Sequence, residues 1–477
     1  MAYRYGERTQ MTLLPPSIEE YVGAQDPVRV YDAFVDALDL EALGIAINPH
    51  QVGNSSYDPK SMLKLLVYGY SYGVRSSRKL EREVRHNLSF IWLVGGLKPD
   101  HKTIAEFRRQ NKKALKNILK QCVLLCIKLD LIDGNTLFTD GTKIRANAAN
   151  KQTLSREHAD KLLKEIDVRI EQLLEQCENA DQTESEQASL ISTKKELQDK
   201  EQRRCQIQAF CEQMDAQGSN RINRTDPESA LMKSVQGTHT SFNVQSNVDG
   251  KNGLIVHMEV TNACNDWDQL ADQVDQSSEV LGKKPKISVA DCGYANVTKL
   301  EELDSKSIAV IVPSGRQVAG ENKPSGPFEK EQFHYDAQTD TYRCPQNQTL
   351  TFAYADKTLN RRSYQIQDKT TCQQCPHIGK CTQSKKGRRI YRYENEHLVE
   401  KYEARYQDPA AQAIYKKRKE KAELPFGHIK RNLKFDGFLI RGKEGARAEI
   451  RTAATCFNLA RMITLLGMPV LIKALTG

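Results

Sequence analysis

The chain has 477 residues, room for two to four domains of ordinary size and at least one large core. Its net charge of +9 and pI near 8.8 favour an acidic partner, although a mildly basic enzyme looks similar. No run of about 18 uncharged apolar residues occurs, so no membrane span is expected. Met1 to Arg8 holds no apolar stretch of the kind a secretion signal needs, which leads to the expectation of a cytoplasmic protein.

Residues 27 to 132 read as helical. Ser61 to Tyr70 and Asn117 to Cys126 both place apolar residues at helical spacing. Asp100 or Thr103 is suited to cap the helix that follows Pro99. Arg75, Arg78, Lys79, Arg82 and Arg85 are spaced to share one helical face, with Lys79 and Glu83 four apart as an ion pair. Such a face suits duplex DNA, and a solvated, ion-paired helix would look the same.

Thr136-Leu137-Phe138-Thr139 is β-prone and is expected to end at Asp140 and Gly141. Residues 153–215 turn helical and polar again. Leu162, Ile166, Ile170, Leu173 and Cys177 form a stripe, and a polar break from Glu178 to Glu186 precedes a second helix. This is the pattern of a helical hairpin inserted into another domain. Thr240 to Asn247 and Leu254 to Val260 read as strands joined by a turn, and Asp268 to Leu281 as a helix. Ile287 to Ala290 and Ile308 to Val312 are candidate buried strands, and an apolar helical pattern runs from Arg447 to Gly477.

Three short segments carry the chemistry. Asp140 and Asp291 each follow a β-prone run, and Glu423 lies in a strongly basic stretch. A carboxylate at the end of a strand stands off the sheet edge, where a ligand can reach it. Mg²⁺ prefers oxygen donors and keeps several waters, so two or three carboxylates with substrate phosphates complete its shell. Two such ions can activate an attacking hydroxyl and stabilise a leaving oxygen. Taken singly, each Asp reads as a turn former and Glu423 as a surface ion-pair residue. Together, in a basic chain, they point to metal-dependent cleavage of a polyanion.

These segments carry a resemblance. Thr139-Asp140-Gly141-Thr142-Lys143-Ile144 resembles the first catalytic block of the DDE transposases of bacterial insertion sequences, and Ala290-Asp291-Cys292-Gly293-Tyr294 resembles the second. Between them Thr225 to Glu228, Asn243-Val244-Gln245, Val248-Asp249 and Asn265-Asp266 follow in the family's order. The chain is most similar to the insertion-sequence-eleven-eighty-two-like group, over nearly its whole length. In the third block Glu423 and Lys430 keep the spacing of the family's Tyr, Arg, Glu, Lys signature, but Tyr415 and Arg418 stand one residue too far upstream. Glu420 is the competing carboxylate. Leu424 precedes Pro425, which disfavours helical geometry there, so the helix is expected to break or to begin near Pro425.

The resemblance implies an α/β fold. An RNase H-like catalytic core (133–152 and 219–477) would carry a helical hairpin insertion (153–218), behind an all-α N-terminal domain (1–132). It implies catalysis by Asp140, Asp291 and Glu423 holding Mg²⁺ or Mn²⁺, and DNA contacts from Lys143, Arg418, Lys430 and Arg431. The partners implied are double-stranded DNA, as element ends and target, and a second copy of the chain. The location implied is bacterial cytoplasm, on the nucleoid when DNA-bound.

Most of the twelve cysteines, such as Cys122, Cys126 and Cys456, read as small buried hydrophobes in a reducing compartment. Cys344, Cys372, Cys375 and Cys381 differ. They cluster within a Cys-rich insertion (340–392) and suit tetrahedral Zn²⁺, with His377 as a possible substitute and idle free thiols as the alternative. Nearby Lys385, Lys386, Arg388 and Arg389 suit contact with a DNA backbone. Two other functions remain open at this stage: a DNA-binding relic without strand transfer, and a nuclease of the same fold.

Overall fold

The computed structural model describes residues 17–47, 56–181, 187–234, 237–322, 326–357 and 361–477. Met1 to Arg8 therefore lies outside the described residues, as does the polar break over 182–186.

The N-terminal part is helical, with helices at Val28–Asp36, Pro59–Ser71, Ser77–His86, Leu88–Leu93, His101–Gln110 and Lys112–Lys128. Their starts follow capping rules. Asp58 accepts the Ser61 N–H ahead of a proline in the first turn, and Asp100 accepts the Thr103 N–H at 2.7 Å. Gly69 in the helix Pro59–Ser71 lies against Leu80 of Ser77–His86, where a Cβ would overlap the Leu80 side chain. The apolar faces share one core with the C-terminal helix Lys443–Leu466 and with the rear of the main sheet. Ile118, Cys122, Val244, Ile255 and Cys456 all belong to it.

That sheet has six strands: β1 (Thr136–Arg145), β2 (Ala230–Ser234), β3 (Gly237–Asp249), β4 (Ile255–Thr261), β5 (Ile287–Val289) and β6 (Ala309–Ile311). The order is β2-β3-β1-β5-β6, with β4 also paired to β3. β1 and β3 run antiparallel, as do β3 and β4, whereas β5 and β6 run parallel to β1. β1 does not end at Asp140 as the sequence suggests. It continues to Arg145, because β3 pairs with it through Arg145↔Ser241. What ends near Asp140 is the other neighbour, since β5 pairs with β1 only as far as Phe138↔Val289. Asp140 is thus left with one open flank.

Between β1 and β2 the helices Arg156–Asp181 and Gln187–Ala216 form the inserted hairpin. Ile166 and Leu173 pack with Ile207, Cys211 and Met214, and Arg169 pairs with Glu196 at 2.9 Å. A ribbon of Thr153–Ser155 with Arg221–Asn223 closes its base. After β6 comes an antiparallel sheet in the order β11-β10-β9-β8-β7: β7 (His334–Asp336), β8 (Thr341–Arg343), β9 (Thr349–Asp356), β10 (Arg361–Gln365) and β11 (Arg389–Tyr393). The chain then returns to the core through helices Glu396–Gln407, Pro409–Lys416 and Leu424–Arg431. Among the described residues no single helix is long and apolar enough to cross a membrane.

The expected basic face of the N-terminal part needs one correction. Arg78, Lys79, Arg82 and Arg85 are exposed, but Arg75 is buried. Its guanidinium lies 3.6 Å over the Phe435 ring and pairs with buried Glu449 at 3.1 Å. It also donates to the Gly437 carbonyl. Glu83 takes Arg82 as its ion-pair partner rather than Lys79. Arg75 is a structural staple between the two ends of the chain. Arg75→Ala leaves the buried Glu449 without its ion-pair partner and is expected to cost about 3–5 kcal/mol of unfolding free energy. Urea denaturation checks this, and a cost below about 1 kcal/mol would show that the pair holds nothing together.

Candidate active site

The site forms where β1 outlasts β5. Asp140 lies in β1 opposite Ser246. Asp291 stands two residues past β5 and caps the short 3₁₀ turn Cys292–Tyr294 by accepting the Gly293 N–H at 2.9 Å. The parallel pairing of β1 with β5 brings these two distant carboxylates to one sheet edge. Arg418 joins them. Its Nη2 donates to Asp140 Oδ1 at 3.2 Å and to Asp291 Oδ2 at 3.0 Å, and its Nη1 lies 3.7 Å from Glu423 Oε1.

Burial first, then the negative charges of Asp291 and Glu423, push the Asp140 carboxyl up to about 6 against the pull of Arg418 and the Gly141 N–H. The same carboxylates raise the affinity of Arg418 for its proton despite its burial. The centre is a knot of negative charge held by one guanidinium.

Arg418 and Glu423 reach this knot through a π-helical turn, Lys419–Glu423, that runs straight into Leu424–Arg431. Leu424 keeps right-handed helical angles (φ −55, ψ −47) although it precedes proline, so the expected break is absent. Pro425 has no N–H to close an α turn on Lys421, and a wider turn is least costly there. The π turn also takes up the one extra residue between Arg418 and Glu423, so both face the two aspartates. Glu423 is 52% exposed, whereas Glu420 is 71% exposed and pairs with Lys421.

Lys430, two helical turns on, donates to Thr142 Oγ1 on β1 and so lies beside the carboxylates. Lys143 instead donates to the Lys233 carbonyl on β2. Arg431 is exposed. Tyr415 packs edge-on to Tyr406 at 5.1 Å.

A polar network lies beneath the aspartates; the sequence placed Asn243, Gln245, Asp266 and Tyr294 in family-like blocks without assigning them a role. Asp266 Oδ1 accepts from Asn243 Nδ2 at 2.7 Å and Gln245 Nε2 at 2.6 Å, and Gln245 Oε1 accepts the buried Tyr294 hydroxyl. The three groups crowd Gly141. A Cβ there would stand 2.6 Å from Gln245, 2.7 Å from Asp266 and 2.9 Å from Tyr294. Gly141 is therefore required by close approach, one residue after Asp140. The signal in the sequence was the alternation of Asn243, Gln245 and Asn247 with Phe242, Val244 and Val248, which puts three amides on one face of β3.

The four cysteines share a neighbourhood. Burial raises the Cys381 thiol, and Cys372, Cys344 and Cys375 raise it further, while Arg388 opposes them. The His377 ring packs 5.1 Å from Phe328. Among the described residues no three His, Cys, Asp or Glu side chains are placed to hold a metal ion, here or at the acidic centre. At the acidic centre Arg418 takes up the space between the carboxylates. The donor types nonetheless suit the expected ions: hard oxygens for Mg²⁺ and thiolates for Zn²⁺.

Comparison with known families places two matches on the chain. Residues 16–110 match a transposase domain (DUF772), and residues 343–463 match a transposase DDE domain. The second match contains Arg418, Glu423 and Lys430 but neither aspartate. No curated protein matches the chain.

Two outcomes follow from this geometry. The folded Asp140 carboxyl titrates above its ordinary value, so its contribution to stability is lost as pH rises from about 4 to about 6. Above pH 6, in EDTA, Asp140→Asn is therefore expected to be more stable than wild type by at most roughly 2–3 kcal/mol, a gap that shrinks towards pH 4.5. Urea unfolding at the two pH values checks this, and a less stable variant at pH 7.5 would make Asp140 a structural group. At Asp266, Asn keeps an acceptor for both amides and Ala does not. Asp266→Ala is expected to lower the melting temperature by several degrees more than Asp266→Asn; equal melting would show that the network carries no load.

Proposed function

We propose that this insertion-sequence DDE transposase, identified as such by its two family domains, binds the terminal inverted repeats of its own element as duplex DNA, cuts phosphodiester bonds there and joins the freed 3′-hydroxyl to target DNA. The observation that carries the reading is the convergence of Asp140, Asp291 and Glu423 on one guanidinium. An RNase H-like core is supported by the strand order β4-β3-β1-β5-β6, in which an antiparallel meander is followed by two parallel strands.

Asp140, Asp291 and Glu423 are the residues that would hold Mg²⁺ or Mn²⁺. Bound there, the ions would lower the barrier by activating the attacking oxygen and stabilising the leaving one. Arg418 and Lys430 supply positive charge at the same point, where a scissile phosphate needs it. Arg431 and the exposed Arg78, Lys79, Arg82 and Arg85 are surfaces for the duplex backbone. Cys344, Cys372, Cys375 and Cys381 are the candidates for a structural Zn²⁺. Two copies of the chain would act together, one on each end of the element.

A second reading draws on Arg418 itself. A guanidinium seated among the carboxylates is also what a DNA-binding relic without catalysis would show. One experiment separates the two. A labelled duplex with the element's own ends is incubated with Mg²⁺ and wild type, Asp140→Ala, Asp291→Ala or Glu423→Ala. Wild type is expected to cut and all three variants to bind the ends without cutting. Binding without cutting by wild type would favour the relic. Cutting by Glu423→Ala alone would move the third carboxylate to Glu420.

A further inference from the structure

Outside the carboxylate knot, a cleft of about 660 Å³ lies between the second sheet and the core. One wall is a face of β10 and β11. Arg389, Tyr391 and Tyr393 alternate along β11, and Arg361 stands opposite Tyr393. The other wall includes Trp267 and Cys292, the residues that follow Asp266 and Asp291. Cys292 directly follows Asp291, so the cleft opens beside that one carboxylate of the centre.

Its chemistry is aromatic and cationic. Trp267 is 47% exposed and Tyr393 is 49% exposed, so both rings present a face to the cleft. The Arg361 guanidinium stacks 4.0 Å over Tyr391, and Arg389 lies 5.3 Å over Tyr354. Deeper charges neutralise one another: Glu396 pairs with Lys330 at 2.7 Å and with Arg316 at 3.1 Å. Arg361 pairs with Asp356 at 3.2 Å, and Arg389 donates to Gln365 Oε1 at 3.2 Å and to the Tyr354 hydroxyl at 3.3 Å, so the cleft presents exposed ring faces beside guanidinium groups held in place by their neighbours. Proteins grip unpaired nucleic-acid strands with this combination, because every base has a π face and every linkage a charge. The volume suits a nucleotide-sized ligand and excludes a duplex.

We infer that this cleft binds unpaired DNA nucleotides next to the scissile phosphate, with Trp267 and Tyr393 as stacking platforms and Arg361 and Arg389 on the backbone. The inference rests on the transposase reading of the carboxylate centre and adds the strand state of its substrate.

The chain has two tryptophans, Trp92 and Trp267, so Trp92→Phe leaves Trp267 as the sole indole reporter. This full-length protein is titrated with two probes, an element-end duplex that is fully paired and the same duplex with several unpaired thymidines beside the cleavage point. Gel shifts with both probes are run in parallel. Expected are strong quenching of Trp267 by the unpaired probe, little by the paired one, and a roughly five- to hundredfold weaker preference for the unpaired probe in Tyr393→Ala. Gel shift without quenching, or equal quenching by both probes, would overturn the cleft proposal and leave DNA binding intact. No gel shift with either probe would overturn the DNA-binding reading and this proposal with it.

Discussion

The Arg418 guanidinium is the constraint on which the centre of this molecule turns. Like charges packed at one sheet edge repel, and burial adds the cost of lost hydration. Asp140 and Asp291 are each anchored by their own backbone, through Gly141 and Gly293, so neither is free to retreat. One planar cation with several donors meets both and also faces Glu423. Lysine, with a single point charge on a flexible stem, has no equivalent fork. The elements around the knot serve this convergence: β5 stops early, the 3₁₀ turn presents Asp291, and the π turn brings Arg418 and Glu423 to the same side.

The rear of the molecule supplies the rigidity. The helix Lys443–Leu466 is buried between the N-terminal helices and the sheet, and Arg75 ties it to the N-terminal part. Glu449 also accepts the Leu439 N–H, so one buried carboxylate fixes the segment that leads from the site helix into the C-terminal helix. Asn458 does the same on β4, exchanging hydrogen bonds with the Ile255 backbone. Buried polar groups of this kind are costly to leave unpaired and so specify one arrangement of the layers.

Much of this was legible in the sequence because local rules governed it. Helical periodicity marked Pro59–Ser71 and Lys112–Lys128, β-branched runs marked β4 and β5, and Asp100 acted as the cap its position suggested. Other features depended on partners far away in the chain. The true end of β1 is set by the length of β3, about a hundred residues on. Arg75 looks like a surface charge until Phe435 and Glu449 close around it. The one-residue excess between Arg418 and Glu423 was visible, but only the helix geometry shows how a π turn absorbs it. Asp266 was visible as part of a family-like block, yet its place beneath Gly141 follows from the sheet register.

The polar network and the carboxylate knot make opposite demands that meet at Gly141. Asn243, Gln245, Asp266 and Tyr294 are joined by three side-chain hydrogen bonds into one network. The knot above it is frustrated, with a carboxyl whose ionised form is disfavoured. A side chain at 141 would point to the face of β1 opposite Asp140, into the polar network, so only glycine leaves room for that network there. Strain is retained at a site only where its surroundings fix it. The Arg418 guanidinium and the Gly141 N–H together hold in place a carboxyl that is costly to bury.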